Sequence, residues 1–201
     1  MGACMSDEEF VSVQIMAPPV PIAAIDAKYV SLAPMRLNIK HNDWNFTGDY
    51  CIKDILTGIP YFQVDGSFFT MVDRKTLKDI NGVNVATVET VPFSFGRREV
   101  YTCDDNGYSA KHIFSMEVTN LFGSTEMNAS IVDRVTGVTH YLSCRGSVGS
   151  WNLIFYVDGN PIAKTTCQWE IDGDRFFVDI APGVDIALIV LICVAVQEAS
   201  E

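Results

Sequence analysis

No apolar stretch in this 201-residue chain is long enough to cross a bilayer. The longest, Ile186 to Val196, is 11 residues. As a helix it spans about 16 Å, whereas a bilayer core is about 30 Å thick and calls for about 20 apolar residues. Extending the run back to Ile180 brings in Pro182, Gly183 and the carboxylate of Asp185. Positive charge is also scarce, with 14 Lys plus Arg against 25 Asp plus Glu and a net charge of −11. That balance opposes non-specific binding to nucleic acid or to an anionic membrane face. Six cysteines (Cys4, Cys51, Cys103, Cys144, Cys167, Cys193) form no CxxC pair. Without a basic n-region followed by an apolar h-region, no secretory signal is expected. Reduced thiols in an intracellular, cytoplasmic protein follow. The sequons Asn45-Phe-Thr47 and Asn128-Ala-Ser130 carry no meaning there.

The motifs of catalysis and metal binding are missing too. His41, His112 and His140 lie far apart, with no HExxH or other ligand spacing. Ser147 and Ser150 sit in Gly146-Ser-Val-Gly-Ser, neither a P-loop nor a G-x-S-x-G elbow. Asp104-Asp-Asn-Gly107 lacks the later ligands and closing Glu of an EF-hand, so it reads as a turn, and so does Asp172-Gly-Asp174. Cys193 and the mid-chain cysteines read as small core residues. No catalytic residue, metal site or cofactor is expected.

What the chain does contain is β structure. Residues 1 to about 28 read as an irregular arm, because Pro18, Pro19 and Pro21 cannot donate to a central strand. From about 29 to 180 short runs rich in β-branched and aromatic residues alternate between Gly, Asn and Asp. Examples are Tyr61-Phe-Gln-Val, Val83-Asn-Val-Ala-Thr-Val and Leu153-Ile-Phe-Tyr-Val. Residues about 182–196 read as a helix apolar on every face, which must be buried. Pro182 suits its first turn, and Asp185 sits where the helix dipole favours an anion. Leu188, Ile189, Leu191 and Ile192 are its expected core positions.

The β region repeats itself. Asp54-Ile-Leu-Thr-Gly58 is answered by Asp133-Arg-Val-Thr-Gly137, and Asp79-Ile-Asn-Gly82 by Asp158-Gly-Asn-Pro, both 79 residues on. The simple reading is reuse of a common hairpin turn. The stronger one is two similar half-barrels of about six strands, closed around the last helix so that no sheet edge stays free.

The terminal Ala181-Pro-Gly-Val-Asp-Ile-Ala-Leu-Ile-Val-Leu-Ile resembles the closing signature of LURP-one-related proteins. So do Pro34-Met-Arg-Leu-Asn-Ile-Lys40, the segments 54–66 and 74–82, and Val157-Asp-Gly-Asn-Pro-Ile-Ala163. The chain departs from the family at Arg97-Arg-Glu-Val-Tyr101, where a Trp is frequent, and at Gln197-Glu198, where an acidic pair is frequent. The resemblance implies a mostly β, roughly twelve-stranded barrel over residues 29–201, shared with Tubby and phospholipid-scramblase folds, around a central C-terminal helix. It supplies no catalytic residue. It associates plant members with defence, and the more distant Tubby proteins with phosphoinositides.

Two features remain. Arg74, Lys75 and Lys78, with Arg97 and Arg98, are basic clusters that two barrel strands could bring into one patch for an anionic lipid head group. The plain alternative is a solvated strand edge. Met1-Gly2-Ala3-Cys4-Met5-Ser6 fits N-myristoylation at Gly2, with Cys4 as palmitoylation partner. One acyl chain anchors only marginally, and Asp7, Glu8 and Glu9 exclude a polybasic second signal. The sequence therefore points to a non-enzymatic binding or scaffold module with a protein or lipid ligand, one that reaches membranes through its N-terminus where that is acylated. A scramblase-like protein anchored by the C-terminal run, and an enzyme without a visible motif, are the alternatives.

Overall fold

A computed structural model describes residues 7–41, 50–67, 73–104, 106–121, 123–168 and 175–199. Twelve strands follow one another around a closed barrel, each antiparallel to its neighbours. They are β1 (Met35–His41), β2 (Tyr50–Asp54), β3 (Pro60–Ser67), β4 (Arg74–Asp79), β5 (Asn84–Thr90) and β6 (Arg97–Cys103), then β7 (Ser109–Leu121), β8 (Ser124–Val132), β9 (Thr139–Ser147), β10 (Asn152–Val157), β11 (Asn160–Gln168) and β12 (Arg175–Ile180). β1 closes the ring on β12, with Leu37 opposite Val178 and Ile39 opposite Phe176. Closure leaves no unpaired edge.

Alternation sets the inside. In β8, Thr125, Met127, Ala129 and Ile131 are buried and the residues between them are exposed. In β2, Tyr50, Ile52 and Asp54 take the inward positions. These rows converge on a helix, α2 (Ile186–Glu198). Leu188, Ile189, Leu191 and Ile192 are fully buried, and so is every residue from Ile186 to Val196. Each such aliphatic side chain stabilises the fold by roughly 1.5–3 kcal/mol. No helix among the described residues is long and apolar enough to cross a membrane.

The repeat shows in the turns: Asp54 ends β2 and Asp133 follows β8, six strands on, and Asp79 ends β4 while Asp158 follows β10, again six strands on. The turns at Asp54 and Asp133 are near copies. Each Asp backbone N–H bonds the carbonyl five residues on, and each carbonyl accepts from the Gly four residues on. Each carboxylate accepts from the backbone two residues on and from a Thr hydroxyl three residues on. The second pair of turns occupies equivalent places with different geometry. Asp79 Oδ1 accepts from Asn81 and Val83 N–H. Asp158 instead starts a two-residue turn with Gly159, both at positive φ (50° and 81°), the tight hairpin form. The bonding at Asp79 is matched instead at Asp104, between β6 and β7, whose Oδ1 accepts from Asn106 and Tyr108 N–H.

Two boundaries differ from the sequence reading. α2 begins at Ile186, with Asp185 as its N-cap, so Pro182 precedes the helix instead of opening it. The arm is also more built than irregular. It carries a short helix, α1 (Asp7–Ser12), and Ile22, Ala23, Ala24 and Ile25 are buried. Ile22 donates to the Gly183 carbonyl and accepts from Asp185 N–H. This segment closes the barrel end from which α2 enters.

Candidate functional site

The basic residues lie on β4 and β6, separated by β5. Neighbouring residues on a strand point to opposite faces, so Arg74-Lys75 and Arg97-Arg98 are each split between outside and inside. Outward, Arg74 Nε donates to Glu89 Oε1 at 2.9 Å and Arg97 Nε to Glu99 Oε1 at 2.7 Å. Lys78 pairs with Asp65. Inward, Lys75 lies 3.2 Å from Glu198 near the C-terminus of α2. Arg98 is 8% exposed. Its guanidinium contacts the Arg97 carbonyl at 3.3 Å, and its Nε has no hydrogen-bond partner among the described residues. Burial pushes the Arg98 guanidinium down from its ordinary value, against the opposing charges of Asp73 and Glu198. The single basic patch expected from the sequence is therefore divided by the strand period, and four of its five cations lie beside carboxylates.

The outward row gathers residues that sequence reading missed. Arg74, Glu89, Glu99 and Ser115 stand side by side across β4–β7. Glu99 is the hub. Its Oε2 accepts from Ser115 Oγ at 2.6 Å and lies 2.6 Å from His112 Nε2, while Arg97 holds Oε1. Burial alone would raise the Glu99 carboxyl; the hydrogen bonds from Ser115, Arg97 and His112 outweigh it and hold it below the ordinary carboxylate range. The Tyr101 ring meets His112 edge-on at 5.4 Å. A bulge between Val100 and Tyr101 sets His112 beside Glu99, and no sequence spacing announces it. The same-face spacing of Arg97 and Glu99 was the one legible hint.

This cluster does not form a nucleophilic relay. A relay places the hydroxyl and the carboxylate on opposite nitrogens of the imidazole. Here Ser115 Oγ and Glu99 Oε2 both face His112 Nε2, at 3.2 and 2.6 Å, and the Ser proton goes to Glu99. Beside it an open cleft of about 520 Å³ is lined by Arg97, His112, Ser115, Glu117, Asn128 and Tyr141. It offers several polar donors and acceptors on the outer wall, suited to recognition.

The remaining candidates serve structure. Asp185 is fully buried. Its Oδ2 accepts from Ile25 N–H at 2.7 Å and Asp26 N–H at 3.1 Å, and its Oδ1 from Leu188 N–H at 3.3 Å. Burial pushes its carboxyl up to about 6 in spite of those bonds. His140 Nδ1 lies 2.7 Å from Asp158 Oδ2. Cys144 and Cys193 are buried, and burial pushes both thiols well up, so they pack as hydrophobes. Among the described residues no group of His, Cys, Asp and Glu could hold a metal ion. Gly2, Cys4, the Asn45 sequon and Asp172-Gly-Asp174 lie outside the described residues.

The sequence model of LURP-one-related proteins matches residues 35–197, the whole barrel and nearly all of α2. The chain belongs to the LURP-one-related family. A solved structure of an Arabidopsis thaliana protein superposes on this LURP-one-related barrel with a TM-score of 0.65. It is 19% identical, over 89% of this chain and 99% of the other, and so bears on the fold alone. No curated protein matches in sequence. The family match stops short of the arm, yet the arm's Ala23 N–H bonds Asp133 Oδ2 of the LURP-one-related barrel at 2.7 Å.

Proposed function

We propose that this chain is a non-enzymatic cytoplasmic binding or scaffold module that recognises a protein or lipid ligand with its outer wall and rims, and is held at membranes by acylation of Gly2 and Cys4. The observation that carries the reading is α2. Barrels that enclose small ligands keep an open interior, whereas here Ile186 to Val196 occupy it. Recognition is thereby left to the outside, where the Glu99 cluster and its cleft lie. The alternative with the C-terminal run as a membrane anchor needs a helix that here forms the core. An anionic head group, if it is the ligand, has Arg98 as its best cation, because the other four already face carboxylates.

The tether is tested by intact-mass analysis of protein from its native host, with membrane flotation of variants. A single myristoyl chain binds weakly and reversibly, and two chains bind stably. Gly2→Ala is expected to release the protein fully, because palmitoylation of Cys4 needs the first anchor. Cys4→Ser is expected to leave weak binding. An unmodified mass, or retained binding in Gly2→Ala, rejects the tether and leaves a cytosolic module.

A further inference from the structure

The β5–β6 corner, residues 91–96, holds two phenylalanines that stand clear of the other described residues. Phe93 and Phe95 are 106% and 104% exposed, more than any other large apolar side chain among the described residues. The corner is firmly made. Ser94 Oγ donates to the Val91 carbonyl at 2.6 Å, Gly96 N–H to the Ser94 carbonyl, and Val118 N–H to the Gly96 carbonyl. A Cβ on Gly96 would sit 1.8 Å from the Val118 carbonyl oxygen, so only glycine lets the corner lie this close to β7. Phe93 adopts φ +60°, an unfavourable conformation for a bulky side chain. Such strain is of order 1–3 kcal/mol and gathers at functional sites. No packing among the described residues compensates it here. Leu121, at the neighbouring end of β7, adds a third exposed apolar side chain.

Charge says what such a pair can meet. The chain as a whole carries −11, which repels anionic surfaces. Near this end of the barrel, however, Arg74, Lys75 and Arg97 pair with Glu89, Glu198 and Glu99, and the buried Arg98 feels the opposing charges of Asp73 and Glu198. The corner is an apolar wedge on locally balanced charge. Its prongs project outward and form no groove. Aromatic side chains of this kind partition into the boundary between lipid head groups and acyl chains.

We propose that Phe93 and Phe95 insert into the interface of a phospholipid bilayer and form a second membrane contact, one that depends on apolar insertion and not on anionic lipid. This deepens the membrane part of the proposed function and is independent of acylation. The other end of the barrel also exposes aliphatic residues, among them Leu56 and Ile80, and provides the control.

The test uses the full recombinant chain without acylation, so failure of the tether leaves its result intact. Flotation is measured with vesicles of pure phosphatidylcholine and with vesicles that also contain phosphoinositide, for the wild type, for Phe93→Ser with Phe95→Ser, and for Leu56→Ser with Ile80→Ser. All substituted residues are exposed, and unchanged thermal melting confirms each fold. The wild type is expected to bind both vesicle types within about twofold, with little salt dependence. The Phe93/Phe95 variant is expected to lose on the order of tenfold or more, and the Leu56/Ile80 variant to bind as the wild type does. A Phe95→Trp variant should shift its emission to the blue on vesicle addition. Absence of wild-type binding, binding confined to phosphoinositide vesicles, loss in the Leu56/Ile80 variant, or self-association abolished by the Phe93/Phe95 change without vesicle binding would each overturn the proposal.

Discussion

The two ends of the barrel solve the same problem with different chemistry. Where α2 enters, buried carboxylates meet backbone N–H groups: Asp185 holds Ile25, Asp26 and Leu188, and Asp133 holds Ala23 and its own turn. Where α2 leaves, side chains pair with side chains, as in Lys75 with Glu198, and Arg98 keeps an Nε without a partner among the described residues. Backbone donors cannot move away, so the entry end is a fixed closure. Long side chains can exchange partners, so the exit end is the more adaptable closure. The exit end also carries the exposed phenylalanines. On the proposed reading, structure and recognition are divided between opposite rims.

The largest effect should come from the element both ends share. Leu191→Asp places an unpaired charge in the fully buried centre of α2, at a penalty of several kcal/mol. The variant is expected not to fold, as read by far-UV circular dichroism and recovery of soluble protein. A folded L191D that loses only membrane association would instead make the run an anchor and end the comparison.

Next come the sister turns. Asp133 and Asp54 cap near-identical turns, and only Asp133 also receives the arm, through Ala23. Asp133→Ala should lose about 3 kcal/mol and Asp54→Ala about 1–2 kcal/mol, since each buried donor left without a partner costs about 1–3 kcal/mol. Chemical denaturation measures both. Equal losses would mean that the arm adds nothing to the entry end.

Smaller still is Asp185→Asn, which keeps an N-cap and weakens one acceptor, at about 1–2 kcal/mol. Its pH signature is more telling. The folded carboxyl binds its proton more tightly than the unfolded one, about 6 against 3.8. The resulting stabilisation is complete below the unfolded value and is lost as pH rises from 3.8 through about 6. Glu99, Asp133 and Asp158 shift the opposite way, so the curve that isolates Asp185 is the difference between wild type and D185N. That difference should fall across the window and be flat above it. A difference independent of pH would show that burial does not raise this group.

How much of this was legible follows from which interactions are local. α2 was readable because a helix apolar on every face has only one kind of place to go. The Asp54 and Asp133 turns were readable because their donors lie within the turn itself. The bond from Ala23 to Asp133 spans 110 residues and leaves no trace in spacing. His112 reaches Glu99 through a bulge that no periodicity announces. The division of the basic clusters, by contrast, was available: two adjacent cations on a strand cannot share a face. Tallying charge without that period produced one patch where the barrel has two faces.

The central claim is that α2 is the core of the barrel. Native-state hydrogen exchange tests it directly, because amides that open only with the whole molecule exchange at the global unfolding free energy. The account predicts that amides from Ile189 to Val196 are protected as fully as those of the β strands and respond to denaturant with the same slope. Exchange of these amides well ahead of the strands, in a chain whose barrel stays intact, would show that the helix leaves the barrel on its own and would contradict the account.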